Sequence, residues 1–179
     1  MFESIYARGA VAAELDDRAW VRALLDVEAA LARALGRLGE IPDGAALQIV
    51  ATCRELARHG DGELLATLER SSTEHATPVI GLVAALRDAV GEGARDHVHA
   101  GATSQDILDT ALMLLLRRAL VPLLQDLDAA TDGLAALAAE HRATPMIART
   151  LLQQALPTTF GLVAAGWLDG LTQARVHLH

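Results

Sequence analysis

Apolar residues recur along this chain at steps of three and four, and the polar breaks between them fall where helices start and stop. In "DDRAWVRALLDVEAALARALGRLGEIP", Leu24, Val27, Leu31, Leu35 and Leu38 draw one stripe along a helix. Asp16 or Asp17 can cap its start, and Gly39 followed by Pro42 stops it. The pattern predicts a second helix from about Gly44 to Arg58, ended by "HGDG", and a short third from Glu63 to Arg70. A fourth is expected from near Pro78 to Val90, with Pro78 in the first turn, where a missing N–H is tolerated.

The dominant period runs from Ser104 to about Ala143, through Leu108, Leu112, Leu115, Ala119, Leu123, Leu127, Ala130, Leu134 and Leu137. Such a helix is roughly 55–60 Å long. Pro122 removes the backbone bond to Arg118 and should bend it. A rod this long has to pack in a bundle, with partners from the same chain or from other subunits. A further helical pattern starts near Thr158 and meets no stop, which implies the N-terminal part of a longer protein. No stretch alternates with the period of a strand. The fold class expected is all-α. A small N-terminal helical domain covers residues 1–102, and the first long helices of a central bundle cover 103–179.

Composition agrees with that picture. The chain is 52% hydrophobic but only 3% aromatic, so Ala and Leu carry the apolar count and close-packed helices are favoured over sheets. A net charge of −8 without any basic block offers nucleic acid or an anionic membrane nothing to bind. The opening "MFESIYARGAVAAELDD" lacks the apolar core of a signal peptide. The richest run, "TALMLLLRRALVPLLQDL", is broken by Arg117, Arg118 and Pro122 and does not read as a membrane span. Cys53, the one cysteine, excludes an intramolecular disulfide, suits a reducing cytosol and reads as a small helix-packing residue. A soluble, cytoplasmic protein is expected.

Two polar islands interrupt the apolar background. The first is "HVHAGATSQDILDT", at the mouth of the long helix. Thr103-Ser104-Gln105-Asp106 has the form of a capping box. Capping explains neither His99 nor Gly101. Gly101 permits a positive φ or close approach to a ligand. Amides at a helix start, with Thr103 and Ser104 hydroxyls, make a seat for a carboxylate, and His99 adds a group able to donate or orient a proton. Capping and anion binding are compatible uses of the same helix end. The second island, "ARTLLQQALPTTFG", joins a turn to a helix. Arg149 can pair with a carboxylate or serve as a capping residue, and Thr150, Gln153 and Gln154 either bind ligand or satisfy a loop. His59, His97, His141, His177 and His179 are not spaced as a metal site and are expected in solvated or tail positions.

In this order, "HAGATSQDILDT" and "ARTLLQQALPTTFG" resemble the two N-terminal motifs of the fumarase/aspartase superfamily. Those motifs are a His-x-Gly-x-Thr-Ser-x-Asp loop before the first long helix and a Gly-Arg-Thr-x-x-Gln region after it. "LLDVEAALARALGRLGEIP", "GATSQDILDTALML" and "TPMIARTLLQQALPTTFGLVAAGWL" look most like the bacterial 3-carboxy-cis,cis-muconate cycloisomerase branch. The resemblance implies that His99 and Ser104 are catalytic, and that Thr103, Gln105, Arg149, Thr150 and Gln153 bind substrate. Where fumarases and adenylosuccinate lyases carry a catalytic histidine, this chain has Leu151, as suits a cycloisomerase. Ala148 replaces the usual Gly, Ala100 stands where cycloisomerases often have Trp, and Thr77-Pro78 replaces an Asn-Pro pattern. His75 lies two positions from a histidine used by adenylosuccinate lyases.

The resemblance further implies a small polycarboxylate substrate, no metal or organic cofactor, and a homotetramer whose active sites each draw on three subunits. The superfamily's third signature, a Gly-Ser-Ser-x-Met-Pro-x-Lys-x-Asn loop, does not occur in these residues, so the chain alone is expected to be inactive. Two alternatives stay open: a fumarate-releasing lyase of the same superfamily, and a non-catalytic helical oligomerisation module.

Overall fold

The computed structural model describes residues 8–59 and 62–178. The N-terminal heptad, the "GD" of the "HGDG" stop and His179 lie outside the described residues, and with them part of the expectations placed there. The elements are α1 (Gly9–Ala13), α2 (Asp17–Leu38), α3 (Asp43–His59), α4 (Glu63–His75), α5 (Val79–Ala89), α6 (Glu92–Arg95) and α7 (Ser104–Glu140). After them come β1 (Pro145–Thr150), β2 (Gln153–Thr159) and α8 (Phe160–Leu178). Among the described residues the fold is helical, with one small hairpin. Among the described residues no helix is long and apolar enough to cross a membrane.

The chain divides into two compact units, one ending at Ala119 and the other beginning at Leu120. In the first, α2 opens on Asp16, whose carboxylate accepts the Ala19 amide at 2.7 Å, and closes on Gly39 with φ 74°. That cap pair is the one the sequence indicated. Leu24 and Val27 are buried and Leu31 and Leu35 half-buried, but Leu38 is 74% exposed, because the stripe ends with the last turn of the helix. The core joins α2, α3, α4, α5 and the start of α7 through Leu24, Leu25, Ile49, Leu82, Leu86 and Leu115. Each fully buried leucine contributes roughly 1.5–3 kcal/mol of transfer free energy. Cys53 is buried in this core, as expected.

Two helical expectations need correction. α4 runs on from Arg70 to His75. Ser72 and Thr73 turn their hydroxyls back onto the Leu68 and Glu69 carbonyls, which absorbs groups that otherwise compete with the helix. Ser71 Oγ, buried, donates to the Thr77 carbonyl at 2.8 Å and accepts the Gly81 amide at 2.9 Å, tying α4 to α5. In α7 the buried positions are Ile107, Ala111, Leu115 and Ala119. Leu115 and Ala119 are buried as expected, but in the first two turns Ile107 and Ala111 take the buried places, while Leu108 is half-buried and Leu112 exposed.

In the second unit, β1 and β2 pair antiparallel, with Thr150 opposite Gln153 and Arg149 opposite Gln154, and an irregularity between Ile147 and Arg149. This hairpin corrects the expectation that no strand is present. Its two-residue tip is Leu151-Leu152, both with positive φ. Phe160 starts α8 two residues after the expected position. Its amide donates to the Thr144 carbonyl, and the Gly161 amide donates to that of His141. Gly161 fits only because it lacks a side chain: a Cβ there would lie 2.7 Å from the Ala138 carbonyl oxygen and from Arg142 Cα. His141 is half-buried rather than solvated, its ring 5.1 Å from that of Phe160. His97 is also half-buried, while His59 and His177 are exposed.

Candidate functional site

Between α6 and α7 the loop from Val98 to Thr103 is pinned by apolar residues: Val98 is buried, and Ala100 and Ala102 pack against the core. Between them, His99 and Gly101 both adopt left-handed backbone conformations, with φ of 62° and 71°. Glycine accepts that region freely, whereas a histidine there costs free energy that its surroundings must offset. The offset lies across the core. His99 Nδ1 is 2.6 Å from Oε1 of Glu28 on α2.

Glu28 joins the candidate site without being part of either polar island. It lies four residues after Leu24 and four before Ala32, on the buried face of α2, and is 1% exposed. A carboxylate on the apolar stripe of a helix is the signal that could have found it. Its second oxygen, Oε2, has no hydrogen-bond partner among the described residues. Burial pushes its pKa above the usual carboxylate value, while the hydrogen bond and charge of His99 pull the other way.

At the mouth of α7 the expected capping box is present. Asp106 Oδ2 accepts both the amide and the hydroxyl of Thr103 at 2.8 Å, and Thr103 Oγ accepts the Asp106 amide at 3.3 Å. These bonds, the Thr103 amide foremost, hold the exposed Asp106 carboxyl below its ordinary pKa, with a further contribution from the charge of His99. The Thr103 hydroxyl proton is therefore committed. One N–H of the Gln105 side chain donates to Asp109 at 2.7 Å, which leaves its second N–H and its oxygen. By the geometry of a helix start, the Ser104 and Gln105 amides are left as donors, and the half-exposed Ser104 hydroxyl joins them. Of the residues expected here, His99, Ser104 and Gln105 keep groups for a ligand, and Thr103 spends its hydroxyl proton on the helix.

The residues of the second island lie on the hairpin. Thr150 and Gln153 are cross-strand partners flanking its tip, so their side chains share a face. Arg149 pairs with Gln154, and successive strand residues point to opposite faces. The two faces thus present different chemistry: a hydroxyl with an amide, and a guanidinium with an amide. Arg149, Thr150 and Gln153 are all exposed. His75 lies elsewhere, at the end of α4, with Nε2 3.9 Å from Glu74.

The family model described as "Lyase" matches residues 3–179. The chain is 51% identical over 168 residues to a nitrosuccinate lyase from Streptomyces davaonensis, across 92% of this chain and 34% of that protein. It is 46% identical over 170 residues to the 3-carboxy-cis,cis-muconate cycloisomerase of Bradyrhizobium diazoefficiens, across 94% of this chain and 37% of the relative. The crystal structure of the Pseudomonas putida 3-carboxy-cis,cis-muconate lactonizing enzyme superposes with a TM-score of 0.87 at 38% identity, over 99% of this chain and 40% of that one. The chain thus spans roughly two-fifths or less of the length of these proteins. With the two motifs, the helical fold and a match along nearly its whole length, the chain belongs to the lyase family of the fumarase/aspartase superfamily.

Proposed function

We propose that this chain supplies the N-terminal share of a cytoplasmic homotetrameric enzyme that makes or breaks a bond one carbon away from a substrate carboxylate. Residues 1–102 form its N-terminal domain, and 103–179 begin its central bundle. The reading rests above all on the mouth of α7. There, among the described residues, the Ser104 hydroxyl and the Ser104 and Gln105 amides stand uncommitted at the positive end of a 37-residue helix. Negative charge that develops on a carboxylate during reaction is stabilised by such donors, as in an oxyanion hole. Thr150 and Gln153 contribute neutral hydrogen bonds, and Arg149 contributes a cation. The chemistry needs no metal or organic cofactor.

The reaction we assign is cycloisomerisation of 3-carboxy-cis,cis-muconate to a carboxymuconolactone, as in aromatic catabolism. One carboxylate oxygen adds to an alkene carbon, the alkene electrons pass to the neighbouring carbon, and that carbon takes a proton. The electron-rich intermediate is delocalised into a carboxylate. Leu151, apolar where a histidine base stands in fumarases and adenylosuccinate lyases, supports this assignment, as do the cycloisomerase relatives.

A second reading is favoured by the 51% identity to nitrosuccinate lyase. Here the substrate is a succinate bearing a leaving group. A proton leaves one carbon, the leaving group departs from the next with its electron pair, and fumarate remains. Both reactions pass through the same carboxylate-stabilised intermediate, so one cradle serves either.

The deciding experiment incubates full-length enzyme with 3-carboxy-cis,cis-muconate, nitrosuccinate and adenylosuccinate separately. Loss of the muconate's conjugated ultraviolet absorbance is the expected result. Nitrite release from nitrosuccinate with no change in the muconate would establish the second reading instead. Inertness toward all three, in a properly assembled protein, would leave this fold as a non-catalytic helical module.

A further inference from the structure

Glu28 and His99 are 71 positions apart in sequence, and the core brings Oε1 of one to 2.6 Å from Nδ1 of the other. The pair is shielded, with side chains 1% and 16% exposed. An uncompensated carboxylate in such a place is costly, and Oε2 finds no donor among the described residues to relieve it. Val98, Ala100 and Ala102 pack the loop on either side of His99, so the ring is held against its partner.

Two proton arrangements keep the pair electroneutral. In one, the carboxylic acid donates to Nδ1 and the neutral imidazole carries its own proton on Nε2. In the other, Nδ1–H of an imidazolium donates to the carboxylate, and Nε2 again bears a proton. A third arrangement, a carboxylate beside a neutral imidazole protonated on Nδ1, would turn Nε2 into an acceptor. It leaves a net negative charge inside the core, and burial works against it. The ionisable groups around the pair are Asp26, Arg33, Cys53 and Asp106. The Cys53 thiol stays neutral, pushed up to about 12 chiefly by burial and also by the charges of Glu28 and Asp26. Asp106, on α7, lies close enough for its carboxyl to feel the charge of His99.

We infer that Glu28 is a positioning residue that fixes His99 with its Nε2 protonated, so that the loop offers the substrate a hydrogen-bond donor rather than a base. The inference rests on the proposed carboxylate-binding role of this loop and sharpens it. His99 then grips a carboxylate alongside the Ser104 hydroxyl, and the proton-transferring base lies elsewhere in the assembled enzyme. Glu28 acts only through His99.

The test has two arms on full-length enzyme. The first needs no substrate: with 15N-labelled histidine, the His99 resonances, assigned by their loss in His99→Ala, should report a protonated Nε2 at neutral pH. An unprotonated Nε2 there overturns the inference. The second arm is a double-mutant cycle on kcat/KM with the physiological substrate. Glu28→Leu should lower kcat/KM about tenfold or more, mainly through KM. Glu28→Gln, whose amide can donate to Nδ1 and keep the proton on Nε2, should recover most of that loss. In a His99→Ala background, Glu28→Leu should change kcat/KM less than about twofold if the two act as one unit. An equal loss in both backgrounds would make Glu28 a merely structural residue and overturn the inference. If His99→Ala alone leaves kcat/KM unchanged, the carboxylate-cradle reading of the loop fails, whatever the spectrum says of the proton.

Discussion

Thr103 and Asp106 close on each other: Asp106 Oδ2 takes the Thr103 amide and hydroxyl at 2.8 Å each, while Thr103 Oγ takes the Asp106 amide. The hydroxyl is donor and acceptor at once and has nothing left to give a ligand. That separates two neighbours that look interchangeable in sequence. Thr103→Ala should destabilise the fold by about 1 kcal/mol, as loss of an N-cap does. Ser104→Ala should leave unfolding nearly unchanged but lower turnover of the full-length enzyme by about 10²-fold. Denaturant melts and steady-state kinetics on the two variants check this. Equal kinetic losses would return the threonine to the binding site.

The same cap makes a pH prediction. The Asp106 carboxyl is held below its ordinary value of 3.8 by the Thr103 amide and hydroxyl. A depressed folded-state pKa stabilises the fold fully above the unfolded value, and the benefit fades as pH falls through the folded value. The stability gap between wild type and Asp106→Asn should therefore be constant near neutrality and shrink only below about pH 4. Glu28 has the opposite sign. Its raised pKa means that its contribution is greatest below the ordinary value of 4.5 and is lost as pH rises through the raised one. Unfolding curves collected from pH 3 to 8 for each variant separate the two trends.

The helices of the first unit were readable because caps and apolar steps coincide there. Asp16 and Gly39 bracket α2 as their chemistry demands. The capping box before α7 was also legible, since its residue types have few other uses in that spacing. The hairpin was not. Neither "PMIART" nor "QQALPTT" alternates apolar and polar residues as a half-buried strand does, and Leu151-Leu152 shows none of the Asn or Gly that announces a tight turn. Glu28 sits on the apolar stripe of α2, which marks it as unusual, but its partner His99 is remote in sequence and nothing local identifies the pair. His99 and Ser104 could be named from the motif, but which of their neighbours were spent on capping required coordinates.

Cys53 offers a check on the core. The thiol is 2% exposed, and its pKa is pushed up to about 12, first by burial and then by Glu28 and Asp26. Only the thiolate attacks a disulfide reagent. Native protein at pH 8 should thus leave Cys53 unlabelled by an aromatic disulfide reagent over hours, while the urea-unfolded chain reacts at once. Rapid labelling without denaturant would mean that α3 opens locally or that the core is looser than described.

Gly161 tests the start of α8. A methyl group there meets backbone, the Ala138 carbonyl oxygen and Arg142, at 2.7 Å, and backbone cannot rotate away as a side-chain tip can. Gly161→Ala should cost about 1–3 kcal/mol, the usual range for overpacking. Gly166→Ala, five residues on and with nothing within 4 Å, is the control and should be neutral or slightly stabilising. Equal melting temperatures for the two variants would show that the close approach of α8 to the end of α7 is not maintained in solution.

The tip of the hairpin sets stability against function. Leu151 and Leu152 carry φ of 46° and 65°, and they are 92% and 95% exposed. Neither gains burial within this chain to offset a left-handed backbone, which costs non-glycine residues roughly 1–3 kcal/mol each. Asn and Gly fit the same two positions without that strain. Leu151→Asn with Leu152→Gly should therefore raise the unfolding free energy by about 1 kcal/mol or more. The same exchange removes the apolar group that the cycloisomerase reading sets at the substrate. In the full-length enzyme the double variant should melt higher and turn over more slowly, the loss exceeding about tenfold if Leu151 lines the substrate pocket. Calorimetry and kinetics on one preparation read both effects. A variant that gains stability with full activity would remove Leu151 from the site, and one that gains nothing would show that the tip is unstrained.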